Sequence, residues 1–422
     1  MNARERVMAS LDHRQPDKIA IDFGGICNST MHVSCLDALR KHYQLDDQLV
    51  KALDVFTMAG VIEDDLAEAI GTDCTPIFPM GTLFGFPRTD WKPWKNPQGL
   101  DILVPGKYNP EPDGKGGYIV YPQDNRAYEP SGHFPQGGYY FDAIYRQKGD
   151  IDDNVTDPAL NIEEWRILDE ANLDWIEKEI LRAYDTGRAT VLAMPGMGLG
   201  DAADIAGCGL LEPKGIRNIA DWYMMPHLYP EYVYRMFEMQ TDIAIENMKA
   251  INERCGDKID VAFTCATDLA HQNSLFVSRE IFLELYMPHY IRANRWIHEN
   301  TPWKILKHSC GAVEPLIGDL IEAGFDALNP VQCSAAGMDP VHLKKEFGKH
   351  ITFWGGGVDT QDVLPFGSPE EVRKQVLQRC EIFGEDGGFI FNAIHNVQAN
   401  TPTENIVAML EAVKEFNTAG RL

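Results

Sequence analysis

The residues of this chain best suited to chemistry lie in Lys307-His308-Ser309-Cys310-Gly311. The apolar run Trp303 to Leu306 ahead of them reads as a strand, and side chains two apart on an extended chain share a side. His308 and Cys310 can therefore aim an imidazole and a thiolate at one point. Cys333, after Asn329-Pro330-Val331-Gln332, comes to the same place if the following strand lies alongside. Two sulfurs and one nitrogen suit Zn2+, and three protein ligands leave a fourth position open for chemistry. The plainer alternative is two thiols and a histidine that are neighbours and nothing more.

Positioning such a cluster takes a frame of strands. Apolar runs near 18–23, 73–79, 189–194, 259–264, 304–308, 326–331, 351–356 and 388–393 read as strands, each followed sooner or later by a helix. Helical patterns cover 3–12, 33–42, 60–70, 230–253, 278–299 (with a kink expected at Pro288), 313–323, 339–347, 368–383 and 402–416. Ser368-Pro369-Glu370-Glu371 supplies a capping hydroxyl, a proline in the first turn and acids behind it. This is the tally of an α/β chain folded as a single (β/α)8 TIM barrel over residues 1–422. A doubly wound sheet fits less well, because no Gly-x-Gly-x-x-Gly follows an early strand. Residues 81–145 break the pattern: glycine, proline and aromatics dominate, and turn signals separate short β-like runs. They read as a β-hairpin-rich subdomain inserted after the second strand.

Barrels of this kind carry their active sites at the carboxyl ends of the strands. Asp22, Asp268, His308, Cys310, Cys333, Asp359 and His395 all stand at or just after strand ends. Asp268 and His271 are the catalytic candidates, able to orient a metal ligand or move a proton; capping a turn is the equal alternative for Asp268. Asn392 and His395 end the eighth strand and are expected to face the substrate. Trp354 can wall an aromatic substrate or simply fill the core.

Composition narrows the function classes. The net charge of −25 argues against nucleic acid and anionic membranes, which need a basic face. No apolar run is long enough to span a bilayer, and no signal peptide is visible. Nine scattered cysteines fit a reducing cytoplasm with thiols free or metal-bound.

The chain resembles the uroporphyrinogen decarboxylase superfamily. The resemblance is carried by Asp22-Phe23-Gly24-Gly25, His308-Ser309-Cys310-Gly311, Asn329-Pro330-Val331-Gln332, Gly356-Gly357-Val358-Asp359-Thr360, and His395-Asn396-Val397 followed by Thr401-Pro402. It implies a (β/α)8 barrel. The decarboxylases proper carry an arginine-rich N-terminal segment for the porphyrinogen carboxylates, but here no arginine stands between Arg14 and Arg40. The His-x-Cys pair is similar instead to the zinc- and corrinoid-dependent methyltransferase branch. The aromatic insertion (Pro135-Gln136-Gly137-Gly138-Tyr139-Tyr140-Phe141-Asp142) is similar to methyltransferase components of methyl-ether O-demethylation systems.

In the coenzyme M methyltransferases of this superfamily the third ligand is a cysteine at the end of the last strand, a place this chain gives to His395. Cys333 is favoured over His395 as third ligand, since neighbouring strand ends converge and thiolate suits zinc. The resemblance implies a zinc enzyme that moves a methyl group from a methoxylated, aromatic substrate to the Co(I) corrinoid of a partner protein; a homodimer is allowed. The rivals are a methyltransferase whose acceptor is a thiol such as coenzyme M, a tetrapyrrole decarboxylase, and a metal-free binding protein for a corrinoid partner.

Overall fold

The computed structural model describes residues 1–420. Its barrel has eight parallel strands: β1 (Ala20–Ile21), β2 (Cys74–Ile77), β3 (Ala189–Ala193), β4 (Val261–Cys265), β5 (Lys304–His308), β6 (Ala327–Asn329), β7 (Thr352–Trp354) and β8 (Phe389–Phe391). β1 pairs with β8, and the ladder then runs down through β7, β6, β5, β4 and β3 to β2. Asp73 joins the two ends. Its N–H donates to Ile21 O at 2.7 Å and its carboxylate accepts from Ile21 N at 2.9 Å. The same carboxylate meets Arg6 Nη1 at 2.6 Å, with both side chains buried.

Strand alternation divides the apolar residues into two layers. Ala20, Cys74, Val191, Phe263, Leu306, Ala327, Trp354 and Ile390 fill the barrel interior. Val7 and Leu11 of the helix Ala3–Leu11 join them. That helix lies at the amino ends of the strands, where Ser10 O accepts from Gly388 N. Ile305, Leu328, Phe353, Phe389 and Phe391 point outward into the larger core beneath the helices. One inward step above the apolar layer, toward the carboxyl ends, come Asp22, His308, Asn329 and Asn392, all buried.

The helices follow the apolar periods closely: Val33–His42, Pro230–Cys255, Glu314–Glu322, Pro340–Phe347, Pro369–Phe383 and Thr403–Thr418. Ser368 and Glu371 form the capping box read from the sequence. The bend expected at Pro288 takes a different form. Residues 282–286 run as a π-helix and Met287 N–H reaches back to Phe282 O, so the irregularity is absorbed before the proline. The helix Ile219–Leu228, which contains Pro226, was not legible from its pattern.

The insertion after β2 consists of the hairpin Lys92–Lys95 with Asp101–Val104 and a four-stranded antiparallel sheet from Glu111 to Ala143. It leans on loops at the barrel mouth. Phe141 N–H donates to Phe56 O at 2.8 Å, and the Arg146 guanidinium donates to Gly207 O at 2.7 Å and Leu210 O at 2.8 Å. Phe84, Phe86, Tyr108, Phe134 and Phe141 are buried against one another. These five rings of the insertion thus build a core of their own. Among the described residues no helix is long and apolar enough to cross a membrane.

Candidate metal centre

His308 shares the inward parity of Leu306 on β5, so its imidazole enters the mouth from above the apolar layer. Past the strand the chain is pinned on both sides. Ser309 N–H donates to Asn329 O at 2.7 Å and Cys310 N–H to Asp268 Oδ1 at 2.7 Å. Gly311 then turns with φ +88°, and a Cβ there would lie 2.6 Å from the backbone of Ala270 and His271. Only glycine allows this approach, and it holds the Cys310 loop against the loop after β4.

His395, beyond β8, completes the cluster. One ligand atom each from His308, Cys310 and His395 lie within 4.8 Å of one another. The two imidazoles meet edge to face at 5.5 Å between centroids. Cys333, the favoured third ligand from the sequence, is not in the group. β6 stops at Asn329, and the chain beyond it carries the half-buried Cys333 thiol into the neighbourhood of Arg379, Asp339 and Asp359. The ends of β5 and β6 meet at Asn329, but Cys333 lies past that meeting, and His395 completes the cluster from beyond β8.

Hydrogen bonds fix the tautomer of each imidazole. Asn329 Nδ2 donates to Trp354 O at 2.9 Å, which leaves Asn329 Oδ1 to accept from His308 Nδ1 at 2.6 Å. Asn396 Oδ1 accepts from Gln398 Nε2 at 2.7 Å and from His395 Nδ1. Each ring thus carries its proton on Nδ1 and presents a lone pair on Nε2. Cys310 Sγ lies 3.5 Å from His308 Nε2. Second partners of this kind orient metal-bound histidines and raise their basicity.

The electrostatics suit a cation. Burial pushes His308 down to about 4, and burial also lowers His395, so both rings are neutral donors at neutral pH. Burial, with Asp268 beside it, drives the Cys310 thiol well above its ordinary range. A divalent ion would find two ready nitrogens and one sulfur whose proton it must expel. Three soft or borderline donors, with no fourth in the cluster among the described residues, fit zinc with an open position.

The remaining sequence candidates take varied places. Asp268 stands at the mouth, its side chain 40 % exposed and Oδ1 3.7 Å from His308 Nε2. The His271 ring bonds Ser274 Oγ at 2.8 Å and packs on Phe276. Trp354 is fully buried inside the barrel, its indole N–H on Asp22 Oδ2 at 2.8 Å, so it braces the site from below rather than lining it. Asn392 is buried too, its amide donating to Asp22 O and Ser29 O. It anchors the loop after β1. Burial lifts Asp22 to about 6. The bracing residues Asn329 and Asn396, and Asn28 beside the cluster, were not singled out as site residues. Asn329 had a signal in its inward parity at a strand end, and Asn396 in the motif His395-Asn396-Val397; Asn28 had none.

Comparison with known proteins agrees with this architecture. A uroporphyrinogen decarboxylase of Coxiella burnetii (strain RSA 493 / Nine Mile phase I) is 25 % identical over 256 residues, 57 % of this chain and 64 % of that protein. One from Methylococcus capsulatus is 29 % identical over 100 residues, 24 % of this chain and 27 % of that protein. The chain thus matches less than two thirds of the length of these curated relatives. A methyltransferase from Methanosarcina mazei shares the fold, with a TM-score of 0.55 over 99 % of both chains at 14 % identity. The family model described as Uroporphyrinogen decarboxylase (URO-D) matches residues 159–416, which run from before β3 to the last helix and include the whole cluster. With six of the eight barrel strands and more than half its length accounted for in this way, the chain belongs to the uroporphyrinogen decarboxylase family.

Proposed function

We propose that this chain is a zinc-dependent methyltransferase that passes a methyl group from a methoxylated substrate to the Co(I) corrinoid of a partner protein. The meeting of His308, Cys310 and His395 at the barrel mouth carries the reading. The fold shared with a Methanosarcina mazei methyltransferase supports it.

An ether is a poor methyl donor because its leaving group is a strongly basic oxyanion. Zinc held by the three residues supplies the Lewis acidity that stabilises charge on the departing oxygen. His308 and His395 bind through Nε2, held in the right tautomer by Asn329 and Asn396. Cys310 binds as thiolate and tempers the positive charge. Asp268, at the rim, relays a proton from solvent to the departing oxygen. A Co(I) corrinoid on the partner would supply the nucleophile, so the chain needs none of its own. The mouth must admit the corrinoid partner, and the insertion stands as one wall of the approach.

The decarboxylase names of the sequence relatives favour a second reading, turnover of a tetrapyrrole. Against it stands the segment after β1, which offers Cys27, Asn28 and Ser29 and no arginine for substrate carboxylates. One experiment separates the readings. Purified protein is assayed for bound metal, then incubated with a panel of methyl donors, zinc and a Co(I) corrinoid, and separately with uroporphyrinogen. About one zinc per chain with methyl–cobalt formation is expected. Decarboxylation without metal uptake would overturn the proposal.

A further inference from the structure

This inference rests on the reading of His308, Cys310 and His395 as a metal centre. We propose that Asn28 is the exchangeable occupant of its fourth position: the carboxamide turns Oδ1 toward a bound divalent cation and gives way when the substrate's donor atom arrives.

Asn28 sits on the short turn Cys27–Ser29 after β1. Its Nδ2 lies 3.4 Å from His308 Nε2 and 3.3 Å from His395 Nε2. Both of those atoms carry lone pairs, since both Nδ1 protons are committed to Asn329 and Asn396. One amide group therefore divides its two N–H donors between the two nitrogens a cation would use. Its Oδ1 accepts from Cys27 Sγ at 3.0 Å on the other side.

The turn itself is fixed. Gly24 N–H donates to Ser29 O, Ile26 N–H to Ser29 Oγ at 3.1 Å, and Asn392 Nδ2 to Ser29 O at 3.2 Å. The freedom left to Asn28 is rotation of its amide. A cation engaging both Nε2 atoms takes both acceptors from the NH2 group and sets positive charge against its positive end. Half a turn of the amide replaces that repulsion with attraction to Oδ1 and leaves the NH2 group beside the Cys27 sulfur, a weak acceptor.

A carboxamide oxygen is a neutral donor, weaker than imidazole or thiolate, and so suits a position that must open for substrate. Asp268 is the competing candidate for that position: its Oδ1 lies 3.7 Å from His308 Nε2 and accepts the Cys310 N–H.

The test uses the full chain stripped with a chelator and loaded with cobalt(II), whose visible ligand-field spectrum reports the ligand set. Wild type, Asn28→Ala and Asn28→Asp are compared without any methyl donor. The alanine variant is expected to show a shifted spectrum at unchanged stoichiometry. The aspartate variant, with a charged oxygen at the same reach, is expected to bind cobalt(II) about tenfold more tightly. It also keeps the test open should the alanine variant fold poorly. Cobalt(II) bound with the same spectrum in all three proteins and equal affinity for the aspartate variant would overturn the role of Asn28 alone. A wild-type chain that takes up no cobalt(II) would overturn the metal centre itself, and this inference with it.

Discussion

The ends of β6 and β8 invite comparison, because each carries an inward asparagine and then a residue able to bind a metal. After β6 come Asn329 and Cys333; after β8 come Asn392 and His395. β6 lies beside β5 in the sheet and β8 does not. Yet the residue that joins His308 and Cys310 in the cluster is His395, beyond β8. The β6 loop is spent otherwise: Gln332 Oε1 accepts from Gly311 N at 2.8 Å and its Nε2 donates to Gln272 at 2.8 Å, so this loop braces the Cys310 turn. Adjacency in a sheet fixes where strands run, whereas the loops decide which side chains meet over the mouth.

Replacing ligands gives the largest effect that can break this comparison. His308→Ala, Cys310→Ala and His395→Ala are each expected to weaken zinc binding on the order of a thousandfold, read by competition with a chromogenic chelator. If His395→Ala binds like wild type, β8 does not supply the donor.

The β6 asparagine acts through His308. Asn329→Ala removes the acceptor that fixes its tautomer and is expected to cost about 10–100-fold in zinc affinity. A structural role alone would lower thermal stability and leave the affinity of the folded protein unchanged.

Proton release sharpens the comparison further. Cys310 is held well above its ordinary value and Cys333 is pushed up to about 11 by burial, so both are thiols at pH 7–8. His308, pushed down to about 4, is already neutral there. Binding by two histidines and Cys310 therefore expels one proton, and affinity rises about tenfold per pH unit. A set containing both cysteines would expel two, and affinity would rise about a hundredfold per unit.

The smallest effect belongs to Cys333→Ser, expected to change zinc affinity by less than about threefold, because this thiol lies outside the cluster. A large loss in that variant would restore the neighbouring-strand arrangement.

The sequence was most informative where a short repeat speaks for itself. His308 and Cys310 stand two apart on an extended chain, and that spacing alone aims an imidazole and a thiol at one point, 3.5 Å apart in the structure. The 3.6-residue period of Pro369–Phe383 and its capping box likewise placed a helix correctly. The barrel followed from counting such elements. Legibility failed where partners lie far apart in the chain. Asn329 reaches a histidine 21 residues away and Asn28 reaches two that stand 280 and 367 residues off. The aromatics of the insertion were plain in the sequence, but only packing showed that they face one another.

By itself, then, the sequence determined the order of the barrel strands, the shared side of His308 and Cys310 and the chemical character of a His-x-Cys pair, all of which depend on residues a few positions apart. Tertiary structure alone decided the third donor, the tautomers and the amide over the mouth. Those choices depend on the path of loops whose ends are set by eight strands closing into one ring. No local spacing encodes that closure.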